Sequence, residues 1–105
     1  MAEFHHFGVP TTVVQENEMY SEDMKLYLTD PEKHPLRIEY LRFQEGATMP
    51  ADIQNIPHIA YKVDDIDVAI AGKKVLLPPT AISDELQIAF VNIDGAVIEF
   101  MAPVK

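Results

Sequence analysis

The sequence predicts a single α+β domain, rich in strand and made of two related halves. Three observations carry that expectation. Short runs of β-branched and aromatic residues recur along the chain, punctuated by Pro, Gly and Asp. One segment, residues 64–72, instead places Ile66, Ala69 and Ile70 on one face at helical spacing. Each half also opens with a histidine, an apolar residue and a small one, and closes with apolar-Glu-aromatic-apolar.

Taken in order, "HHFGVPTTVV" (residues 5–14) is the first strand. Pro10 inside it predicts a sheet edge or a bulge, because proline cannot donate to the ladder. "QENEMYSED" is polar and acidic without a helical period, and "MKLYLTD" is a short strand through Met24, Leu26 and Leu28. "PEKHP" is a turn, with His34 as a solvated loop residue between Pro31 and Pro35. "LRIEYLRF" (36–43) is a strand interrupted by Glu39, and the connector after it has room for one helical turn.

The second half restarts with the strand "HIAYKV" and the helix "DDIDVAIAG". Asp64 or Asp65 caps that helix, acids suit its first turn, and Gly72 closes it. "KVLLPPTAI" is a strand broken by a double proline. "LQIAFVN" and "AVIEFMA" flank Asp94-Gly95, a strong hairpin signal. No linker divides the chain, so residues 1–105 are read as one domain, with module one over about 1–45 and module two over about 57–103.

Composition narrows the function. At 48% apolar and 24% charged, the 105 residues suit a globular domain with a core of its own. A net charge of −9 argues against nucleic acid or an anionic membrane as partner, since both need a basic face. The lack of cysteine excludes disulfides, thiolate metal sites and a thiol nucleophile. No apolar run approaches the roughly 20 residues of a membrane-crossing helix, and "MAEFHHFGVP" has no signal-peptide pattern. A cytoplasmic location is expected.

Glu99 then demands a partner. In a strand it shares a face with Val97 and Met101, where an unpaired carboxylate is costly. The doubled pattern supplies the answer. His6 corresponds to His58 and Glu39 to Glu99, the histidines 52 residues apart and the glutamates 60. A β-rich module packed against its copy would bring two histidines and two carboxylates into one concave cleft. Imidazoles and carboxylates are good ligands for one divalent ion such as Zn, Ni, Co, Mn or Fe(II), whose charge two carboxylates would balance. His6 is preferred to His5, because Gly8 two places on matches Ala60 after His58, and His5 would face the other way. Lys62 shares the face of His58 and is expected at the rim.

At these residues the chain resembles the vicinal oxygen chelate superfamily, the glyoxalase, bleomycin-resistance and ring-cleaving dioxygenase group. "HHFGVP" resembles the family's opening strand, "PHIAYKVDDIDVAI" its second-module opening and "NIDGAVIEFM" its closing hairpin. The resemblance implies two βαβββ modules in a curved mixed sheet around a cleft. It places His6, Glu39, His58 and Glu99 on the metal-ligand positions, with Glu99 or Glu39 as the catalytic carboxylate. The first module is expected to lack the family's helix and one strand. The implied function is a metal-dependent lyase or isomerase acting through an enediolate on a small substrate with vicinal oxygens. The alternatives are a non-catalytic small-molecule binder of the bleomycin-resistance type and an Fe(II) ring-cleaving dioxygenase using His6, His58 and Glu99. A homodimer is expected, because a small open sheet tends to cover its edges by pairing.

Overall fold

The structure is a computed structural model that describes residues 2–105. Its strands are β1 (Glu3–Pro10), β2 (Met19–Ser21), β3 (Leu26–Leu28), β4 (Ile38–Phe43), β5 (His58–Lys62), β6 (Lys74–Ala81), β7 (Leu86–Ile93) and β8 (Ala96–Pro103). Helices α1 (Ala51–Asn55) and α2 (Ile66–Ile70) lie on either side of β5 in sequence, and a single 3-10 turn spans Pro31–Lys33.

All eight strands join one sheet in the order β2-β3-β4-β1-β5-β8-β7-β6. The order reads the same from either edge once module one is exchanged for module two. Within each module the first strand runs parallel to the last, β1 with β4 and β5 with β8, and every other pairing is antiparallel. The modules meet where β1 and β5 pair antiparallel. This is the curved mixed sheet that the resemblance implies, with the pseudo-twofold axis of the repeat between β1 and β5.

Period-two alternation sorts the core onto two faces. On the outer face, Ala89, Val91, Ile98, Phe100 and Ala102 pack with Ile66 of α2. On the inner face, Ile88, Phe90 and Val97 pack with Ile53 of α1. Asp65, one of the two expected caps, starts α2 by accepting from the Asp67 and Val68 amides, and Gly72 follows it with φ +73°.

Several sequence expectations need correction. The first strand covers Glu3–Pro10, not 5–14, and Pro10 ends a central strand instead of marking an edge. The bulge lies at the other end, between Phe4 and His6. Module one lacks the helix but keeps all four strands, because Met19–Ser21 in the polar stretch pairs with β3. The turn expected at "PEKHP" is present as the 3-10 turn over Pro31–Lys33, started by the Asp30 side chain. The double proline does not break β6. Pro78 and Pro79 fit because β6 is an edge strand, at the cost of shifts in its register with β7.

The missing helix has a physical counterpart. Tyr20, Tyr27 and Arg42 stand in one cross-strand row on the outer face of module one. Arg42 lies 4.3 Å over the Tyr27 ring and pairs with Glu18. Such a face is covered by its own long polar side chains and needs no amphipathic helix.

Candidate functional site

The four central strands each bring one polar side chain to the inner face: Glu39 from β4, His6 from β1, His58 from β5 and Glu99 from β8. Strand register explains how they meet. In one row across the sheet Glu39 stands opposite Gly8, and Gly8 opposite His58. In the next, His6 stands opposite Ala60, and Ala60 opposite Glu99. Each row is thus a bulky polar residue, a small residue and a second bulky polar residue. The His58 imidazole lies directly over Gly8, where an added Cβ would come within 2.0 Å of its Cε1. Ala60 is wholly buried.

The polar atoms converge. His6 Nε2 lies 3.4 Å from Glu39 Oε1 and 3.4 Å from Glu99 Oε1, while His58 Nε2 lies 3.1 Å from Glu99 Oε1. Donor atoms of His6, Glu39 and His58 all fall within 4.8 Å of one another. His6, His58 and Glu99, at 3%, 2% and 7% exposure, are the buried polar or charged residues among those described.

Electrostatics couples the cluster. Burial pushes the His6 imidazole down, but the Glu39 and Glu99 carboxylates outweigh it and raise it from 6.5 to about 9. Burial pushes the Glu99 carboxyl up, and contacts with His58 and then His6 override that, holding it below the ordinary carboxylate range. Burial lowers the His5 imidazole, helped by His6 and Arg37.

These residues fit a divalent first-row ion. His6 Nε2 and both ring nitrogens of His58 are buried without a hydrogen-bond partner. Unsatisfied buried nitrogens facing carboxylates are costly unless something electropositive lies between them. With bonds of about 2.1 Å, neighbouring ligands of a four-coordinate ion stand roughly 3.4 Å apart, which matches the spacings between imidazole and carboxylate.

A cavity of about 90 Å³ opens beside the cluster, lined by Glu39, His58 and Glu99 and by an apolar wall that includes Leu26, Phe43 and Phe90. No lysine or arginine lines it. Lys62 is exposed at the end of β5 and lies outside it. His34 caps the 3-10 turn, its Nδ1 accepting from the Leu36 amide, away from the cluster.

His5 is the residue that sequence reasoning misplaced. The bulge removes strict alternation, so His5 does not turn to the opposite face; its Nδ1 lies 2.7 Å from His6 Nδ1. The tandem "HH" was the available signal. The reason for Gly8 and Ala60 was also missed, although the residues themselves marked the repeat.

Comparison with known proteins speaks to the fold. No family model matches the chain, and no curated protein matches it. Among solved structures it is similar to a hypothetical protein from Bacillus halodurans C-125, with a TM-score of 0.71 and 18% identity over 99% of this chain and 96% of that one. It is also similar to methylmalonyl-CoA epimerase from Mycobacterium tuberculosis, with a TM-score of 0.54 and 13% identity over 98% of this chain and 89% of that one. At these identities the likeness is one of fold. Among the described residues no helix is long and apolar enough to cross a membrane.

Proposed function

We propose that this chain is a metal-dependent enzyme of the vicinal oxygen chelate type, a lyase or isomerase that moves a proton on a small substrate with two adjacent oxygens. The observation that carries the reading is the convergence of His6, Glu39 and His58 within 4.8 Å, with Glu99 touching both imidazoles. The fold shared with methylmalonyl-CoA epimerase, a member of that superfamily, supports it.

His6, Glu39, His58 and Glu99 would hold the ion, each module supplying one histidine and one glutamate. When bound, a divalent ion supplies Lewis-acid polarisation of the substrate's carbonyl oxygen. The chain's residues do the rest. Glu39 or Glu99 takes the proton from the carbon beside the carbonyl and returns it to the neighbouring atom, in a site whose apolar wall limits access by water. His6 holds Glu39 of its own module and Glu99 of the other, and His58 holds Glu99.

The cavity supports a substrate class. Two carboxylates balance the charge of a dication, and no cationic side chain lines the wall. A carboxylate or phosphate on the substrate would therefore enter an apolar pocket without a counter-charge, a costly transfer. The preferred substrate is small and uncharged, such as an aliphatic 2-oxoaldehyde or 2-hydroxyketone.

The test is metal content and binding in the native protein, Glu99→Gln and His58→Ala, followed by neutral and anionic substrates compared side by side. Tight binding of one ion, lost or severely weakened in both variants, is the expected result. A native protein that neither carries nor takes up Zn, Ni, Co, Mn or Fe(II) would overturn the enzyme reading and leave a small-molecule binder. A homodimer remains part of the proposal, and light scattering of the purified protein decides it.

A further inference from the structure

The direction of one hydrogen bond beside the cluster points beyond the four ligands. Two Nδ1 atoms 2.7 Å apart can bond only if one carries the proton and the other offers its lone pair. The surroundings of His5 decide which. Its Nε2 faces the Glu32 carboxylate at 3.9 Å, which favours the proton on that nitrogen and leaves Nδ1 as acceptor. The Nδ1 proton of the pair then belongs to His6. With its proton on Nδ1, a neutral His6 presents the Nε2 lone pair, and Nε2 is the atom that sits between Glu39 and Glu99.

The local backbone is built to hold this arrangement. The bulge between Phe4 and His6 turns His5 toward its neighbour. Arg37, itself at φ +59°, donates from Nε to the His5 carbonyl at 2.8 Å. The Arg37 carbonyl in turn accepts from the Phe7 amide at 2.9 Å. His5 is thus held through the backbone on both sides of His6 by Arg37, the residue just before β4. No equivalent exists in module two, where Pro57 precedes His58 and His58 Nδ1 has no partner. The site is symmetric in its four ligands and asymmetric in what supports them.

We infer that His5 is a positioning residue: it accepts the Nδ1 proton of His6 and so fixes the tautomer and ring orientation that direct His6 Nε2 at a metal ion. The inference rests on the metal-centre reading above. An outer hydrogen-bond partner of this kind typically changes metal affinity by roughly 10- to 100-fold when removed.

The experiment pairs a spectroscopic readout with an affinity. In nitrogen-15-labelled protein, a scalar coupling between the Nδ1 atoms of His5 and His6 across the hydrogen bond is expected, with the proton on His6 in the zinc-loaded form. His5→Phe keeps an aromatic ring without an acceptor, and should weaken zinc binding by roughly 10- to 100-fold, with a cooperative urea transition of the metal-free variant as the check that it folds. His5→Gln, which restores an acceptor oxygen, should recover most of the loss. Zinc affinity of His5→Phe within twofold of native, or a zinc-loaded protein whose His6 carries its proton on Nε2, would overturn the inference. A native chain that takes up no zinc yet shows the coupling would sink the metal-centre reading while leaving the His6-to-His5 bond established, so the two failures are distinguishable.

Discussion

Gly8 shows how a missing side chain can define a site. A Cβ there would approach the His58 ring at 2.0–2.5 Å, and His58 cannot retreat without leaving Glu99, 3.1 Å away. Gly8→Ala is therefore expected to cost about 1–3 kcal/mol of stability through overpacking, seen as a lower urea midpoint, and to weaken metal binding along with it. Metal affinity unchanged in a folded Gly8→Ala protein would show that His58 is not held over Gly8. The doubled His-x-small pattern was legible because it is local. Its purpose was not, since it depends on Gly8 facing His58 and His6 facing Ala60, and strand register between distant segments is not written in either segment alone. His5 failed for a related reason. Alternation assigns faces only while the ladder is regular, and the bulge at Phe4/His6 breaks it at the residue in question.

The elements that could be read from sequence are those whose cause is short-range. Helix α2 has its cap, its apolar face and its closing glycine within a few residues, and the β7–β8 hairpin turns at Asp94-Gly95 with φ +50° and +94°. Asp65→Ala removes the acceptor for the Asp67 and Val68 amides. It should cost about 1 kcal/mol in denaturant unfolding and leave metal affinity as it is, because α2 packs on the face opposite the cluster. An equal loss of metal binding would mean that the outer layer sets the position of β8. Elements fixed by long-range pairing were harder to see. β2 is three residues in a polar stretch and exists because β3 offers it an edge. β6 survives two prolines because nothing pairs with its outer side. The uneven repeat also finds its cause here: β6 and β7 run eight residues each, where β2 and β3 run three.

The two modules join along the β1–β5 ladder, and the cluster of His6, Glu39, His58 and Glu99 lies across that seam, so stability should follow its protonation. His6 is raised from 6.5 to about 9 by Glu39 and Glu99, so in the metal-free protein its contribution is full below about 6.5 and is lost as pH rises through about 9. Glu99 is lowered from 4.5, so its contribution is present above that value and is lost as pH falls through its depressed one. Metal-free protein should therefore be most stable between about 4.5 and 6.5, and lose about 1–3 kcal/mol between pH 6 and pH 10. An ion takes the place of the His6 proton. Its uptake at pH 7 should release close to one proton, measurable by calorimetry in buffers of different ionisation enthalpy, and the loaded protein should not weaken as pH rises toward 9. Urea unfolding of chelator-treated and zinc-loaded samples across that range separates the two curves. Identical curves would mean that zinc does not bind where the His6 proton sits, and that the side chains across the β1–β5 seam are joined by an imidazolium and two carboxylates without an ion.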